Sequence, residues 1–200
     1  MVRQPTGTIW NNQFDQTKDV LWSVSFNKKN EIVAVGDDGI ILKSTDNGTE
    51  WTTQTKWLTK SSLNALSFCD ENNGLMVGSD GTIFKTSDGG NNWEKQSSGT
   101  KNSLYDVCLI DNLNGTIVGD NGTILNTTNG GETWISQAQF LGTNQYFYKV
   151  NFFNKKDGWI FGYYTDRKHE ILKTSDGANS WSVISNNIID YLHDIIFFNS

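Results

Sequence analysis

Arginine is nearly absent from this sequence, in which only Arg3 and Arg167 occur among 200 residues. Acidic residues outnumber basic ones by 22 to 16, which gives a formal net charge of -6, and neither sign forms a long run. A nucleic-acid partner requires a basic stripe that displaces counterions from the phosphates. The charge balance therefore disfavours nucleic-acid binding.

Cysteine and long apolar runs are also scarce. The two cysteines, Cys69 and Cys108, lack C-x-x-C spacing and are expected to be buried free thiols rather than a disulfide. No apolar run approaches the length of a membrane span, and the first residues, MVRQPTGTIW, lack the charged-then-apolar layout of a signal peptide. The sequence as given thus predicts no membrane span and shows no targeting signal.

Glycine and aromatic residues are abundant instead, with 19 glycines, 8 tryptophans and a single proline. This composition favours β-strands. One motif, S/T-x-D/N-x-G/A-x-x-W, occurs four times, and its closing tryptophans lie 42, 41 and 47 residues apart. A nearly constant spacing of this kind is typical of a repeat architecture. The four copies occupy residues 42–51, 84–93, 125–134 and 172–181.

Each repeat also holds a stretch of period-2 alternation, the pattern of a β-strand, followed ten residues later by a glycine. In the first three repeats this glycine opens a GDDG, GSDG or GDNG turn. Asp-Gly or Asn-Gly between apolar segments predicts a hairpin whose two central residues have positive φ. Four short antiparallel strands in each repeat predict the blades of an all-β propeller. The glycines are Gly36, Gly78, Gly119 and Gly162.

The spacing predicts a single, incomplete β-propeller over residues 1–200. Residues 7–14 are predicted to be the fourth strand of a preceding blade, and residues 191–198 the first strand of a following one. These two strands would leave a closing blade without its middle pair, which favours part of a larger, seven-bladed ring over a self-sufficient small one. The four complete blades are predicted at residues 20–57, 62–99, 103–140 and 146–186.

The repeated motif is expected to stabilise a turn rather than to bind a metal. An Asp or Asn side chain in a turn accepts hydrogen bonds from nearby backbone N–H groups, the preceding hydroxyl joins it, and the tryptophan fixes the hairpin by apolar burial. One carboxylate in each turn falls far short of the roughly six to eight oxygens that surround Ca²⁺. The residues with this structural role are Ser44, Asp46, Gly48, Trp51, Thr86, Asp88, Gly90, Trp93, Thr127, Asn129, Gly131, Trp134, Thr174, Asp176 and Trp181.

Ala178 stands where the other copies of the motif have glycine. If its backbone is left-handed, the conformation that glycine supplies in such turns, the strain is roughly 1–2 kcal/mol. Replacement of Ala178 by glycine is then expected to stabilise the chain.

The motif resembles the BNR or Asp-box repeat, and residues 77–93, VGSDGTIFKTSDGGNNW, are close to the fuller pattern GxxGxIxKTxDGGxxW. That pattern is most similar to the bacterial and plastid photosystem II stability and assembly factor family, over essentially the whole chain. The resemblance implies a seven-bladed propeller, a protein-binding role in assembly, and an extracytoplasmic location, periplasmic or secreted. Family members that serve photosystem assembly present an arginine-rich patch, which two arginines cannot form, so a non-photosynthetic bacterial relative is expected.

Asp boxes also occur in sialidases, xyloglucan-cleaving glycosidases and sortilin-type receptors, so the fold alone does not fix the function. A sialidase holds its substrate carboxylate with three arginines, which excludes a sialidase site here. A carbohydrate-active or carbohydrate-binding propeller of the xyloglucanase type stays open, because such a site needs only two carboxylates across a cleft. Asp106, Lys149 and Asp194 share one repeat position and are expected to be solvated lining of the central channel rather than catalytic residues.

The fourth repeat departs from the others where the turn after Gly162 grows by four residues to YYTDRKHE, residues 163–170. In a propeller this loop shares a face with the loops that join successive blades, opposite the Asp boxes. Aromatic residues and arginine in loops are typical of binding hot spots, although the insertion could instead fold its aromatics inward. The leading hypothesis is a non-enzymatic scaffold, without a cofactor, that binds a protein partner through Trp57, Tyr163, Tyr164, Asp166, Arg167, Lys168 and His169.

Overall fold

A computed structural model describes residues 19–54, 58–137, 145–166 and 168–188. These ranges form four antiparallel sheets of four strands each. They contain no α-helix, and accordingly none that could cross a membrane. The strands of blades 1 and 2 are β1 (Leu21–Phe26), β2 (Ile32–Gly36), β3 (Ile41–Ser44), β4 (Thr52–Thr53), β5 (Leu63–Phe68), β6 (Gly74–Gly78), β7 (Thr82–Thr86) and β8 (Glu94–Ser97). Those of blades 3 and 4 are β9 (Leu104–Leu109), β10 (Gly115–Gly119), β11 (Ile124–Thr127), β12 (Ile135–Ser136), β13 (Gln145–Phe152), β14 (Gly158–Tyr164), β15 (His169–Thr174) and β16 (Ser182–Ile188).

The four sheets are arranged as successive blades of a propeller. The first strand of each sheet contacts the first strand of the next, from β1 through β5 and β9 to β13. First strands that lie side by side in this way surround a common axis. The prediction of an all-β propeller with four-stranded antiparallel blades is confirmed. The strands predicted at residues 7–14 and 191–198 lie outside the described residues, and the size of the ring stays a prediction.

The turns between the second and third strands have the predicted conformation. Asp38 and Gly39 have φ of 52° and 71°, and the equivalent residues of blades 2 and 3 are also positive. The glycine before each turn is needed for a different reason, because a Cβ on Gly36 would lie 2.0 Å from the carbonyl oxygen of Val20 in the loop that enters the blade. These turns and the loops that join blades therefore meet at one end of the propeller, which we call the loop face.

The Asp boxes close each blade at the opposite end. In blade 2, Asp88 Oδ1 accepts the backbone N–H groups of Asn91 at 3.0 Å and Asn92 at 2.9 Å. Thr86 Oγ1 donates to Asp88 Oδ1 at 2.9 Å and accepts the Gly90 N–H at 2.9 Å. The backbone N–H groups of this turn are therefore bonded to its own side chains. Equivalent backbone bonds end on Asp46, Asn129 and Asp176.

The Asp-box tryptophans of blades 2, 3 and 4 pack into the interface with the preceding blade. Trp93 of blade 2 shares a buried cluster with Val33 of blade 1 and meets Phe68 edge to face at 6.0 Å. Trp181 of blade 4 lies in the buried cluster between blades 3 and 4. The half-buried thiol of Cys108 packs against the same cluster. Cys69 is likewise free and half-buried, so the expectation of free thiols holds but that of full burial does not.

Hydrogen bonds between first strands add a polar link to this packing. Ser23 Oγ in blade 1 accepts the Leu66 N–H of blade 2 at 3.4 Å, and Asp106 Oδ2 in blade 3 accepts the Val150 N–H of blade 4 at 2.9 Å. The expectation that Asp106 is a solvated channel residue is wrong, because it is only 9% exposed and its nearest charge is Lys149 at 3.6 Å. Burial raises the pKa of Asp106 to about 6, against the opposing influence of Lys149. Asp194 lies outside the described residues.

Replacing Asp106 by asparagine is expected to change how stability depends on pH. A carboxyl whose pKa is higher in the folded than in the unfolded chain stabilises the fold when protonated, so this contribution is lost as the pH rises from about 4 through 6. The asparagine side chain would keep an acceptor for the Val150 N–H but could not ionise. At pH 7 the D106N variant should exceed the wild type in free energy of unfolding by up to about 3 kcal/mol, with no such excess at pH 4. Urea unfolding across this range measures the difference, and a pH-independent difference would contradict the prediction.

Replacing Ala178 by glycine is expected to raise the free energy of unfolding by up to about 1 kcal/mol. The φ of Ala178 is 68°, which is left-handed, so glycine removes roughly 1–2 kcal/mol of strain. The loss of the buried methyl group offsets about 0.8 kcal/mol of this gain. Ala34 in β2 is similarly buried and has no positive φ, so the A34G variant should be destabilised and serves as the control. Equal destabilisation of A178G and A34G in thermal unfolding would show that the strain is absent.

Candidate functional site

The hairpin of blade 4 is longer than its counterparts at the loop face. The expectation of an inserted loop at 163–170 is wrong, because Tyr163 and Tyr164 continue β14 and His169 begins β15. Tyr163 pairs with Tyr146 of β13 on one side and with His169 on the other. Aromatic residues pair favourably across neighbouring strands, so the added residues extend the sheet.

One face of this extension carries a cluster of tyrosines. The rings of Tyr146 and Tyr163 are stacked with centroids 5.1 Å apart, and Tyr148 lies 6.0 Å from Tyr163. All three side chains are half-buried and so still present part of their rings to solvent. His169 is 6.0 Å from Tyr163 and only 5% exposed, so it supports the cluster from beneath rather than reaching a partner.

Two residues of blade 3, Tyr105 and Asp120, lie beside the tyrosine cluster of blade 4. Asp120 forms an isolated bridge with Tyr146, and the Gly122 N–H donates to the Gln145 carbonyl at 2.9 Å. The pKa of Tyr105 is raised by burial, and then by a hydrogen bond to the Asp120 carboxylate. Asp120 Oδ1 is buried and has no hydrogen-bond partner in the described part of the chain. We call the four tyrosines with this carboxylate the tyrosine surface, which consists of Tyr105, Asp120, Tyr146, Tyr148 and Tyr163.

The opposite face of the extension holds a buried polar network. Tyr164 OH donates to Glu170 Oε1 at 2.9 Å, and Gln145 Nε2 donates to Tyr164 OH at 2.7 Å and to Glu170 Oε2 at 3.1 Å. Glu170 is 2% exposed, and burial raises its pKa although the Tyr164 hydroxyl acts in the other direction. Successive residues of a strand point to opposite faces, so Tyr164 braces the hairpin and does not join Tyr163 in the tyrosine surface.

The tip of the hairpin carries an exposed ion pair. Lys168 Nζ lies 2.7 Å from Asp166 Oδ2, and this hydrogen bond lowers the pKa of Asp166 and raises that of Lys168. Exposed pairs of this kind contribute little to stability and stay available for exchange with charges of a partner. Trp57 and Arg167, the other residues predicted for the site, lie outside the described residues.

The carboxylates of this region are not arranged as an acid–base pair. Asp166 is paired at the tip, Glu170 is enclosed in the network on the other face, and Asp120 alone lies against the tyrosines. A glycosidase needs two carboxyl groups that flank one cleft. Among the described residues, no group of three His, Cys, Asp or Glu side chains could hold a metal ion. The geometry is instead suited to a ligand that contacts aromatic rings and a single negative charge.

Sequence reasoning missed Tyr105, Asp120, Tyr146 and Tyr148 of the tyrosine surface, as well as Gln145 and Glu170 of the buried network. A partial signal existed for Tyr105 and Tyr148, which occupy the same position of successive repeats. Asp120 looked like an ordinary member of a GDNG turn. Its place beside the tyrosines depends on how blade 3 meets the extended β13, which a single repeat does not reveal.

Comparisons with known proteins agree with this fold. Residues 92–189 match the family model of the photosynthesis system II assembly factor YCF48. The structure of YCF48 from Cyanidioschyzon merolae has a TM-score of 0.63 and 19% identity, over 78% of this chain and 51% of that chain. A structure of YCF48 bound to D1 peptide has a TM-score of 0.58 and 15% identity, over 91% of this chain and 88% of that chain.

This chain therefore spans about half the length of the first of these structures. No curated protein sequence matches it. The motif, the four blades and the family match agree on one class of protein. The chain is an Asp-box (BNR) β-propeller similar to the photosystem II assembly factors.

Proposed function

We propose that this protein is a non-enzymatic scaffold whose tyrosine surface binds a segment of a partner protein. The observation that carries the proposal is a set of partly exposed tyrosines, from two blades, beside the half-buried Asp120. Tyrosine offers a large contact area with few rotatable bonds, and clustered tyrosines are typical of binding hot spots.

The comparisons support a peptide rather than a small substrate. A similar propeller is known in a structure of YCF48 bound to D1 peptide. That likeness, at 15% identity, concerns the fold, and the partner of this chain is proposed from its own residues. At the hairpin, Glu170 is enclosed on the opposite face of the sheet and Asp166 is held in an ion pair with Lys168. These carboxylates therefore do not support a sugar-cleaving site there.

The chemistry of the tyrosine surface favours a partner segment with a basic side chain. Ammonium and guanidinium groups bind to the faces of tyrosine rings, and the half-buried Asp120 supplies a negative charge beside those rings. The chain has a net charge of -6, which also favours the approach of a basic segment. This charge is opposite to that of an arginine-rich patch, so a partner of different charge from that of the photosystem factors is proposed.

Removing two of the stacked rings is expected to weaken peptide binding at least tenfold. Peptides are selected from a displayed random library against the wild-type protein, and the Kd of a synthetic copy is measured for wild type and for a Y146A/Y163A double variant. A hot spot contributes about 2 kcal/mol or more, which exceeds a factor of ten in Kd. The W159A variant is the matched control, because Trp159 lies further along β14 against Lys173 and outside the tyrosine surface.

Two outcomes would contradict the proposal. Selected peptides that bind the double variant as tightly as the wild type would place the site elsewhere. Binding of xyloglucan oligosaccharides, with no peptide selected, would replace the scaffold with a carbohydrate-binding propeller. Thermal unfolding of each variant confirms that its fold is intact.

Selected peptides should contain lysine or arginine, and the D120N variant should bind them more weakly.

A further inference from the structure

A buried lysine links blade 1 to the Asp box of blade 2. Lys43 Nζ donates to the carbonyl oxygen of Gly89 at 3.0 Å and to Asn91 Oδ1 at 2.8 Å. It also lies 3.2 Å from Glu31 Oε2 of its own blade, and its side chain is 3% exposed. Three oxygens therefore surround one ammonium group, which matches the three donors that such a group carries.

The same position in the later blades is not always a lysine. Blade 2 has Lys85, whose Nζ would lie 3.4 Å from a Cβ placed on Gly130, so it also reaches the next Asp box. Blade 3 has the shorter Asn126, whose Nδ2 donates to the carbonyl oxygen of Ala178. At this repeat position the interface between blades 3 and 4 therefore lacks an ammonium group, and the lysine of blade 4 that reaches this part of blade 3, Lys155, pairs with Asp111 at 2.8 Å.

The oxygen-bearing positions that surround Lys43 are nevertheless retained around Asn126. By their place in the repeat, Asn114, Gly177 and Asn179 correspond to Glu31, Gly89 and Asn91. All three line a groove between blades 3 and 4. Asn114 Nδ2 donates to Asp111 at 2.9 Å and Asn179 Nδ2 to the Asp176 carbonyl at 2.6 Å, so the amide oxygens remain as acceptors.

The groove is larger than its counterpart beside Lys85. Its volume is about 70 Å³, against about 10 Å³ for the groove beside Lys85. Thr116 lines it where blades 1 and 2 have Val33 and Leu75. Thr116 is fully buried, and neither its hydroxyl oxygen nor Asn126 Oδ1 has a hydrogen-bond partner among the described residues. A polar space of this size has room for water or a small ligand that would satisfy these buried atoms.

We propose that this groove binds a primary ammonium group on a short alkyl chain, the group that lysine supplies at the other two interfaces. The lining offers hydroxyl, amide and carbonyl oxygens as acceptors, which suit an ammonium group with three donors. It offers no carboxylate among the described residues that line it, whereas a calcium site is rich in them. The ammonium group can come from a free alkylamine or from a lysine side chain of a partner peptide, and the groove lies away from the tyrosine surface.

The test compares thermal unfolding in n-butylammonium chloride and in tetramethylammonium chloride at equal concentration. Butylammonium reproduces the lysine side chain, whereas tetramethylammonium has the same charge and no N–H donor. At about tenfold excess over its Kd, butylammonium is expected to raise the Tm of the wild type by about 3–6 °C relative to tetramethylammonium. The same assay with Nα-acetyl-lysine amide separates the sources, since a response to this compound assigns the groove to lysine side chains and its absence assigns it to free amines.

Three variants make the result specific to the groove. N126K places a lysine in the groove, so its Tm should rise without ligand and should no longer respond to butylammonium. N114D restores the carboxylate that Glu31 provides in blade 1, so the response should appear at a lower amine concentration. K43N opens the same space between blades 1 and 2, so butylammonium should restore part of the Tm that this variant loses.

The proposal is overturned if wild-type Tm values are equal in the two salts. An undiminished response in N126K would overturn it as well, because the amine would then bind elsewhere. Neither result depends on peptide binding, so failure here leaves the proposed function of the tyrosine surface untouched.

Discussion

The propeller depends on a turn that satisfies its own backbone. In each Asp box, one side-chain oxygen accepts N–H groups that would otherwise remain unpaired where two strands end, as Asp88 does for Asn91 and Asn92. The tryptophan that closes the motif can then leave the turn and pack against the neighbouring blade, as Trp93 does with Val33 of blade 1. Local hydrogen bonding and packing between blades thus rest on the same short motif, which explains why it recurs nearly unchanged.

Much of the fold could be predicted from the sequence because its causes are local. An Asp-Gly pair needs positive φ wherever it forms a short hairpin, and Asp38 and Gly39 have it. The candidate site was harder to predict, because four added residues can form a loop or lengthen two strands, and register decides which. Tyr163 and Tyr164 were therefore expected on one loop, whereas the extended strand places them on opposite faces. The burial of Asp106 depends on contact with blade 4 and has no signal within its own repeat.

The features with a proposed ligand are the places where one copy of the repeat differs from the others. At the loop face the difference is two added residues in each arm of the blade 4 hairpin, which bring Tyr163 against Tyr146. At the Asp-box end the difference is a shorter side chain, Asn126, together with Thr116 in place of an apolar residue. In both cases the regular copies show which contacts the altered copy has lost or gained. The regular copies stabilise the array, and both proposed binding sites lie where one copy is an exception.

The lengthened hairpin also bears on how such a protein could evolve. Because side chains alternate along a strand, adding an even number of residues to each arm leaves every residue below the addition on its original face. Ile160 and Phe161 thus remain packed as in a short hairpin. Natural selection could lengthen, shorten or rewrite this arm in steps of two while the rest of the ring folds unchanged, so relatives with one scaffold could acquire different partners through this arm alone.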